Sequence, residues 1–140
     1  MVRKAEERDL PELAQMLWEM TSELWPDDAS DNSDIYESVM RDHLQTFRDT
    51  VFVDDDYRGF FIIREETEPI TPTRRVFNGI RVYIRPKYRH SRLLKSFYDK
   101  MFEEYPEGEI WGITEAHSDH IKVLDKRHTL VAKVYKLERR

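Results

Sequence analysis

The chain contains no cysteine, only four glycines among 140 residues, and no apolar run longer than a few residues. Without cysteine there is no disulfide framework, no thiolate metal site and no cysteine nucleophile. Four dispersed glycines do not build a Walker-type phosphate loop, and neither a Ser-His-Asp arrangement nor a nucleophile elbow is present. The short apolar runs leave nothing to span a bilayer, so no membrane partner is expected. The opening MVRKAEERD is too charged for a secretory signal, which points to a cytoplasmic protein. A basic balance is missing too. With 23 Lys and Arg against 28 Asp and Glu, net −5, the chain lacks the charge that duplex binding needs, and nucleic acid is not an expected partner.

At this length the chain is expected to form one domain, residues 1–140, able to bury a core unaided. Val2 to Ala5 reads as a short edge strand. Leu10, Leu13, Leu17, Met20 and Leu24 recur at steps of three and four and predict a helix, with Asp9 as its N-cap and Pro11 and Glu12 in its first turn. Pro26 and the acidic stretch Asp27, Asp28, Asp31 and Asp34 end it. A second helix is predicted from Asp34 to Phe47, burying Ile35, Val39, Leu44 and Phe47. Thr50 to Asp54 and Gly59 to Arg64 read as a hairpin around Asp54, Asp55 and Asp56. Both acidic stretches read as solvated turns, with attraction of a cationic substrate as the alternative.

Glu65 to Thr73, with Pro69 and Pro72, reads as a loop. Arg74 to Ile84 is a long β segment in which Asn78-Gly79 marks either a hairpin turn or a bulge. A helix, a strand from Gly108 to Thr114, a short helix from about His117 to Arg127 and a strand from Thr129 to Leu137 complete the order β-α-α-β-β-β-α-β-α-β. That order predicts an α/β (α+β layered) fold: a central mixed, mostly antiparallel sheet with helices on both faces. Trp18 and Trp111 are expected in the core, while Trp25 suits core and cleft equally.

The richest stretch is IRVYIRPKYRHSRLLKSFYDKMFEEY, Ile80 to Tyr105. Ile80, Val82 and Ile84 alternate as one buried strand face, and Leu94, Phe97, Tyr98, Met101, Phe102 and Tyr105 form a helical stripe. Between them stand Arg85, Lys87, Arg89, Arg92 and Lys95. A strand turning into a helix aims free backbone N–H groups beyond the strand end. With those cations around it, the turn reads as an anion site, most simply for phosphate.

VYIRPKYRHSRLL, Val82 to Leu94, resembles the V-x-P-x-Y-R-G-x-G-x-G/A signature of the GNAT superfamily of acyl-CoA-dependent N-acyltransferases, with Val82, Pro86, Tyr88 and Arg89 at matching positions. The element order is similar over nearly the whole length, and HIKVLDKRH, His120 to His128, resembles the family's last helix. Compact bacteriophage acetyltransferase-like proteins have a similar look. The resemblance implies acetyl-CoA as acyl donor and an amine of a protein or small molecule as acceptor. It implies that Val82, Tyr83 and Ile84 pair with the pantetheine arm. Arg89, His90, Ser91, Arg92, Leu93 and Leu94 would hold the phosphates, with Arg85, Lys87 and Arg92 adding charge for the 3′-phosphate.

The chain also departs from the pattern. His90, Arg92 and Leu94 stand where the family has glycines, Leu124 where many relatives carry the tyrosine that protonates the leaving thiolate, and His128-Thr129 where Gly-Phe is common. Glu109 and Glu115 are candidate bases, and Tyr135, His128 and Tyr83 candidate proton donors; as loop carboxylates, Glu109 and Glu115 also read as ordinary solvated groups. His117 and His120, three apart, are better read as a solvated helix face than as metal ligands, and no metal is expected. The expected function is an acetyl-CoA-dependent N-acetyltransferase. The alternative is a catalytically degenerate GNAT-fold protein that binds a protein partner, viral and host-directed in one version.

Overall fold

The computed structural model describes residues 1–66 and 75–107 and the backbone of 109–112. Five strands run in the order β1 (Val2–Lys4), β2 (Asp49–Asp54), β3 (Gly59–Glu65), β4 (Val76–Ile84) and β5 (Glu109–Gly112). The first four pair antiparallel, and β5 lies parallel to β4, with Val76 opposite Glu109 and Gly79 opposite Gly112. Helices α1 (Leu10–Leu24) and α2 (Ser33–Gln45) cover one face, and α3 (Leu93–Glu104) covers the other. The expected mixed, mostly antiparallel sheet between two helical layers is the observed one. Among the described residues no helix is long and apolar enough to cross a membrane.

Strand alternation builds both cores at once. Val51, Val53, Phe60, Ile62 and Tyr83 face α1 and α2, where they meet Leu13, Met16, Leu17 and Met40. Phe52, Phe61, Ile63, Phe77 and Ile84 face α3 and meet Leu93, Phe97 and Met101. Gly59 allows β3 to start tight against β4: a Cβ there would stand 2.5 Å from the Tyr83 carbonyl oxygen. Gly59→Ala should therefore lower stability by about 1–3 kcal/mol, the usual cost of overpacking, read from urea denaturation.

Asn78-Gly79 marks a bulge, not a turn. The register shifts between Ile62, opposite Arg81, and Ile63, opposite Gly79, which leaves Ile80 as the extra residue. The bulge reverses the strand's parity. Phe77 faces α3, whereas Ile80 packs toward α1 and α2 and Tyr83 is buried on that same side. The expected single face of Ile80, Val82 and Ile84 is therefore corrected: Ile84 is buried against α3, and Val82 is 41% exposed.

The helices needed similar corrections. Asn32 caps α2, its side chain accepting from the Asp34 N–H at 3.0 Å, and the buried stripe is Tyr36, Met40 and His43. Val39 and Leu44 flank it, Ile35 is half exposed, and Phe47 lies beyond the helix at 94% exposure. Leu24 and Phe102 are exposed at the edges of their stripes. Trp18 is 36% exposed, not core; it lines a cavity between α1 and α2 with Tyr36, Asp31 and Glu37. Trp25 is half exposed; the side chain of Trp111 lies outside the described residues.

Asp9 makes no side-chain capping bond to α1; it caps the 3-10 turn Glu7–Asp9 just before it instead. Its carboxylate is fully buried and accepts two bonds from Arg3 (2.8 and 2.7 Å), one from the Tyr57 hydroxyl (2.7 Å) and one from the Glu6 N–H (2.7 Å). The Arg3 bonds outweigh the cost of burial, and with those from Glu6 and Tyr57 hold the carboxyl well below the usual carboxylate range. The contact also holds Tyr57 at φ 52°, the left-handed conformation that lets the β2–β3 turn close. Nor is the second acidic stretch simply solvated. Asp54 is buried and organises the same turn, accepting from Arg58 Nε at 2.7 Å and Nη2 at 3.0 Å.

Candidate functional site

The candidate site lies where β4 ends. Pro86–Tyr88 form a 3-10 turn, with Tyr88 N–H donating to the Arg85 carbonyl at 2.8 Å. Ser91 Oγ accepts from Leu93 N–H at 3.2 Å. The bond from Ser96 N–H to the Arg92 carbonyl, 3.0 Å, closes the first turn of α3. The amides of Leu94 and Lys95 therefore have no acceptor within the helix, and they point at its positive end. Free amides at the start of a helix favour an anion.

The five cations divide into two groups. Arg85 bonds Glu19 at 2.9 Å and the Tyr57 carbonyl at 2.9 Å, with Glu12 at 3.7 Å. Arg89 makes a two-pronged contact with Glu23, 2.6 Å on each arm, and its Nε donates to the Ile84 carbonyl at 2.9 Å. Lys95 pairs with Asp99 at 2.7 Å. These three are neutralised. Lys87 lies over the Tyr88 ring, and neither Lys87 nor Arg92 has an ion pair among the described residues. The phosphate charge expected of Arg85 and Arg89 is thus directed to α1, while Lys87 and Arg92 remain available. His90 and Ser91 are exposed in the loop; Leu93, the first residue of α3, is buried, and Leu94 packs half-buried beside it.

The edge of β4 supplies the second part of the site. Arg85 N–H donates to the Arg58 carbonyl, and the Tyr83 carbonyl faces Gly59, so the odd-numbered groups face β3. By alternation, the N–H and C=O of Val82 and Ile84 face the other way. The parallel pairing with β5 covers only Val76–Gly79, and among the described residues no strand lies against Val82 or Ile84. Arg89 takes the Ile84 carbonyl. Among the described residues the Val82 N–H and C=O and the Ile84 N–H have no partner.

Tyr83 is the only candidate proton donor among the described residues. It is buried on the α1 side beneath Arg89, whose guanidinium carbon sits 5.7 Å from the ring centre. Burial, then the carboxylates of Glu19 and Glu23, push its phenol up, so it keeps its proton at neutral pH. Glu115, His128, Tyr135, Leu124, His117 and His120, and the side chain of Glu109, lie outside the described residues. Among the described residues no cluster of His, Asp and Glu could hold a metal.

A polar chain on the α1/α2 face, with His43 and the Asp49 side chain buried at its centre, carries no signal in the motif. His43 Nδ1 lies 2.9 Å from Asp49 Oδ2; Arg64 grips the same carboxylate at 2.6 and 2.8 Å; Arg81 Nε donates to His43 Nε2 at 3.1 Å. Burial would push the Asp49 carboxyl up, but the bonds from Arg64 and His43 leave it below its ordinary value. A signal existed: Tyr36, Met40 and His43 fall at i, i+4 and i+7, which puts a histidine on the buried stripe of α2. Likewise Glu19 and Glu23, four apart on α1, form one acidic row able to meet a basic loop.

No family model and no curated protein matches the chain. Solved structures do. A possible acetyltransferase from Clostridium difficile 630 superposes with a TM-score of 0.77 at 13% identity, over 99% of this chain and 96% of that one. A ribosomal-protein-alanine N-acetyltransferase from Brucella melitensis biovar Abortus 2308 gives 0.74 at 18%, over 99% and 97%. AAC(6')-Iy, solved in complex with the bisubstrate analog CoA-S-monomethyl-acetylneamine, gives 0.74 at 16%, over 100% and 97%. Sharing the path of these acetyltransferases nearly end to end, the chain has the GNAT fold.

Proposed function

We propose that the protein is an acetyl-CoA-dependent N-acetyltransferase whose donor lies along the edge of β4, with its phosphates at the start of α3. The observation that carries the reading is one juxtaposition. Outward backbone groups of Val82 and Ile84 stand at the end of β4, and the loop from there to the amides of Leu94 and Lys95 carries Lys87 and Arg92, which have no ion pair among the described residues. An elongated ligand with amides at one end and phosphates at the other meets both. A phosphate alone would need only the second.

In the reaction, the amine nitrogen forms a bond to the thioester carbonyl carbon and the C–S bond then breaks. The nitrogen gives up a proton, and the departing thiolate takes one. The Tyr83 phenol carries its proton at neutral pH, but the upward shift makes it a weaker acid than a free phenol; Glu115, His128 and Tyr135 are candidates for either transfer. The test is release of free thiol from acetyl-CoA by the purified protein across a panel of amines. Acceptor-dependent release supports the reading, and its absence from every amine and protein acceptor tried counts against it.

One observation favours a second reading, a degenerate member that binds a protein partner. Three of the five loop cations are already neutralised by Glu19, Glu23 and Asp99, which leaves less charge for a cofactor. Stabilisation of the fold by CoA, read as a rise in melting temperature, separates the two readings.

A further inference from the structure

Arg81 is placed by the bulge. Because Ile80 is the extra residue, Arg81 emerges on the α1/α2 face and its Nε reaches His43 on α2. Arginine only donates, so His43 Nε2 accepts and the ring proton sits on Nδ1, directed at Asp49. Arg64 then fixes Asp49 from β3 with two bonds. Four elements thus hold one guanidinium in place through its Nε. Its two terminal amino groups have no acceptor among the described residues, although the residue is half-buried. Together Arg81, Arg64, Asp49 and the His43 imidazole, whose accepting nitrogen is in use, carry an excess of one positive charge on a chain of net charge −5.

A held guanidinium that presents its end-on pair of amino groups is a fork for a carboxylate. It stands on the sheet face opposite α3, two residues before the Tyr83 phenol on the same side. Resting on the reading above, which sets the cofactor phosphates at α3, this is the side from which the amine would approach. We propose that Arg81 binds the carboxylate of the acceptor, held for that task by His43 and Asp49. The acceptor class is then a free amino acid, not a polyamine or a protein N-terminus, since those present no carboxylate near the reacting nitrogen.

The test compares thiol release with a pool of L-amino acids and with the matching pool of their carboxamides, alongside acetyl-CoA titration. Wild type should turn over the acids at least about tenfold faster, the value of one charge-assisted contact. Arg81→Gln should bring that ratio close to one with its Kd for acetyl-CoA unchanged, and Arg81→Lys should keep part of the preference. Melting curves establish that each variant is folded. A preference that survives in Arg81→Gln overturns the assignment. So does equal use of both pools, or use of neither by a protein that binds acetyl-CoA. Loss of acetyl-CoA binding in wild type would instead bring down the functional reading beneath it.

Discussion

Asp9→Ala should cost about 3 kcal/mol, the lower end of what breaking a buried ion pair costs, out of a total of about 5–15 kcal/mol for a domain of this size. The lower end applies because Arg3 keeps a second partner, Asp55 at 2.6 Å, and is partly exposed, so its charge is not stranded. The Tyr57 hydroxyl and the Glu6 N–H do lose their acceptor. Tyr57 also loses the contact that holds its left-handed backbone. Chemical denaturation checks the figure, with Lys95→Ala as a control. That exposed pair, four apart on α3, should move stability by no more than about 0.5 kcal/mol.

The same carboxylates set the response to acid. Asp9, Asp49 and Asp54 are all fully buried, and all have carboxyls lowered from the ordinary value. A lowered carboxyl adds stability that is complete above its unfolded pKa, about 3.9, and is lost as pH falls toward the folded value. Stability should therefore hold from neutral pH down to about 5 and fall steeply below 4. In Asp9→Ala the slope of that fall should be shallower, because one of the protons taken up on unfolding is gone.

The second large effect concerns the cofactor. Lys87→Ala with Arg92→Ala should weaken acetyl-CoA binding by roughly 100-fold, about tenfold for each charge-assisted contact if the two add. Neither side chain holds any part of the fold by an ion pair among the described residues, so melting temperature should barely change. Arg89→Ala is a different experiment. It would remove the bonds to Glu23 and to the Ile84 carbonyl together, and its main effect should be on how the loop is fixed to α1. Calorimetric titration of the three proteins separates these roles.

Much of the architecture was legible in the chain. The α1 stripe, the β2–β3 hairpin and the strand–basic loop–helix unit follow from periodicity and turn residues, and the structure has them where expected. Details that depend on tertiary context were not. Alternation alone put Ile80, Val82 and Ile84 on one face, because a bulge leaves no period of its own in so short a strand. Asp9 satisfies every local rule for a helix cap, yet Arg3 in β1 offers two charged bonds against one amide. The stripe of α2 differs for a similar reason: Ile35 and Phe47 are apolar, but His43 has Asp49 and Arg81 as hydrogen-bond partners, and they pay for its burial.

The loop shows the same limit at the level of function. Five cations in sequence suggest five charges for phosphate, but which of them are free depends on the carboxylates opposite. Glu19 and Glu23 lie more than sixty residues away in the chain, and only the packing of α1 against the end of β4 brings them to Arg85 and Arg89. Two of the residues that stand where the GNAT signature has glycine have a physical reading: Leu94 packs beside the α3 core cluster, and Arg92 has no ion pair among the described residues.

Isothermal titration of the CoA-stripped protein with acetyl-CoA tests the central claim most directly. Micromolar binding, one ligand per chain, is the result expected if the edge of β4 and the start of α3 form a cofactor site. No heat of binding as the ligand approaches millimolar would contradict it, and would mean that the fold is kept for its surface.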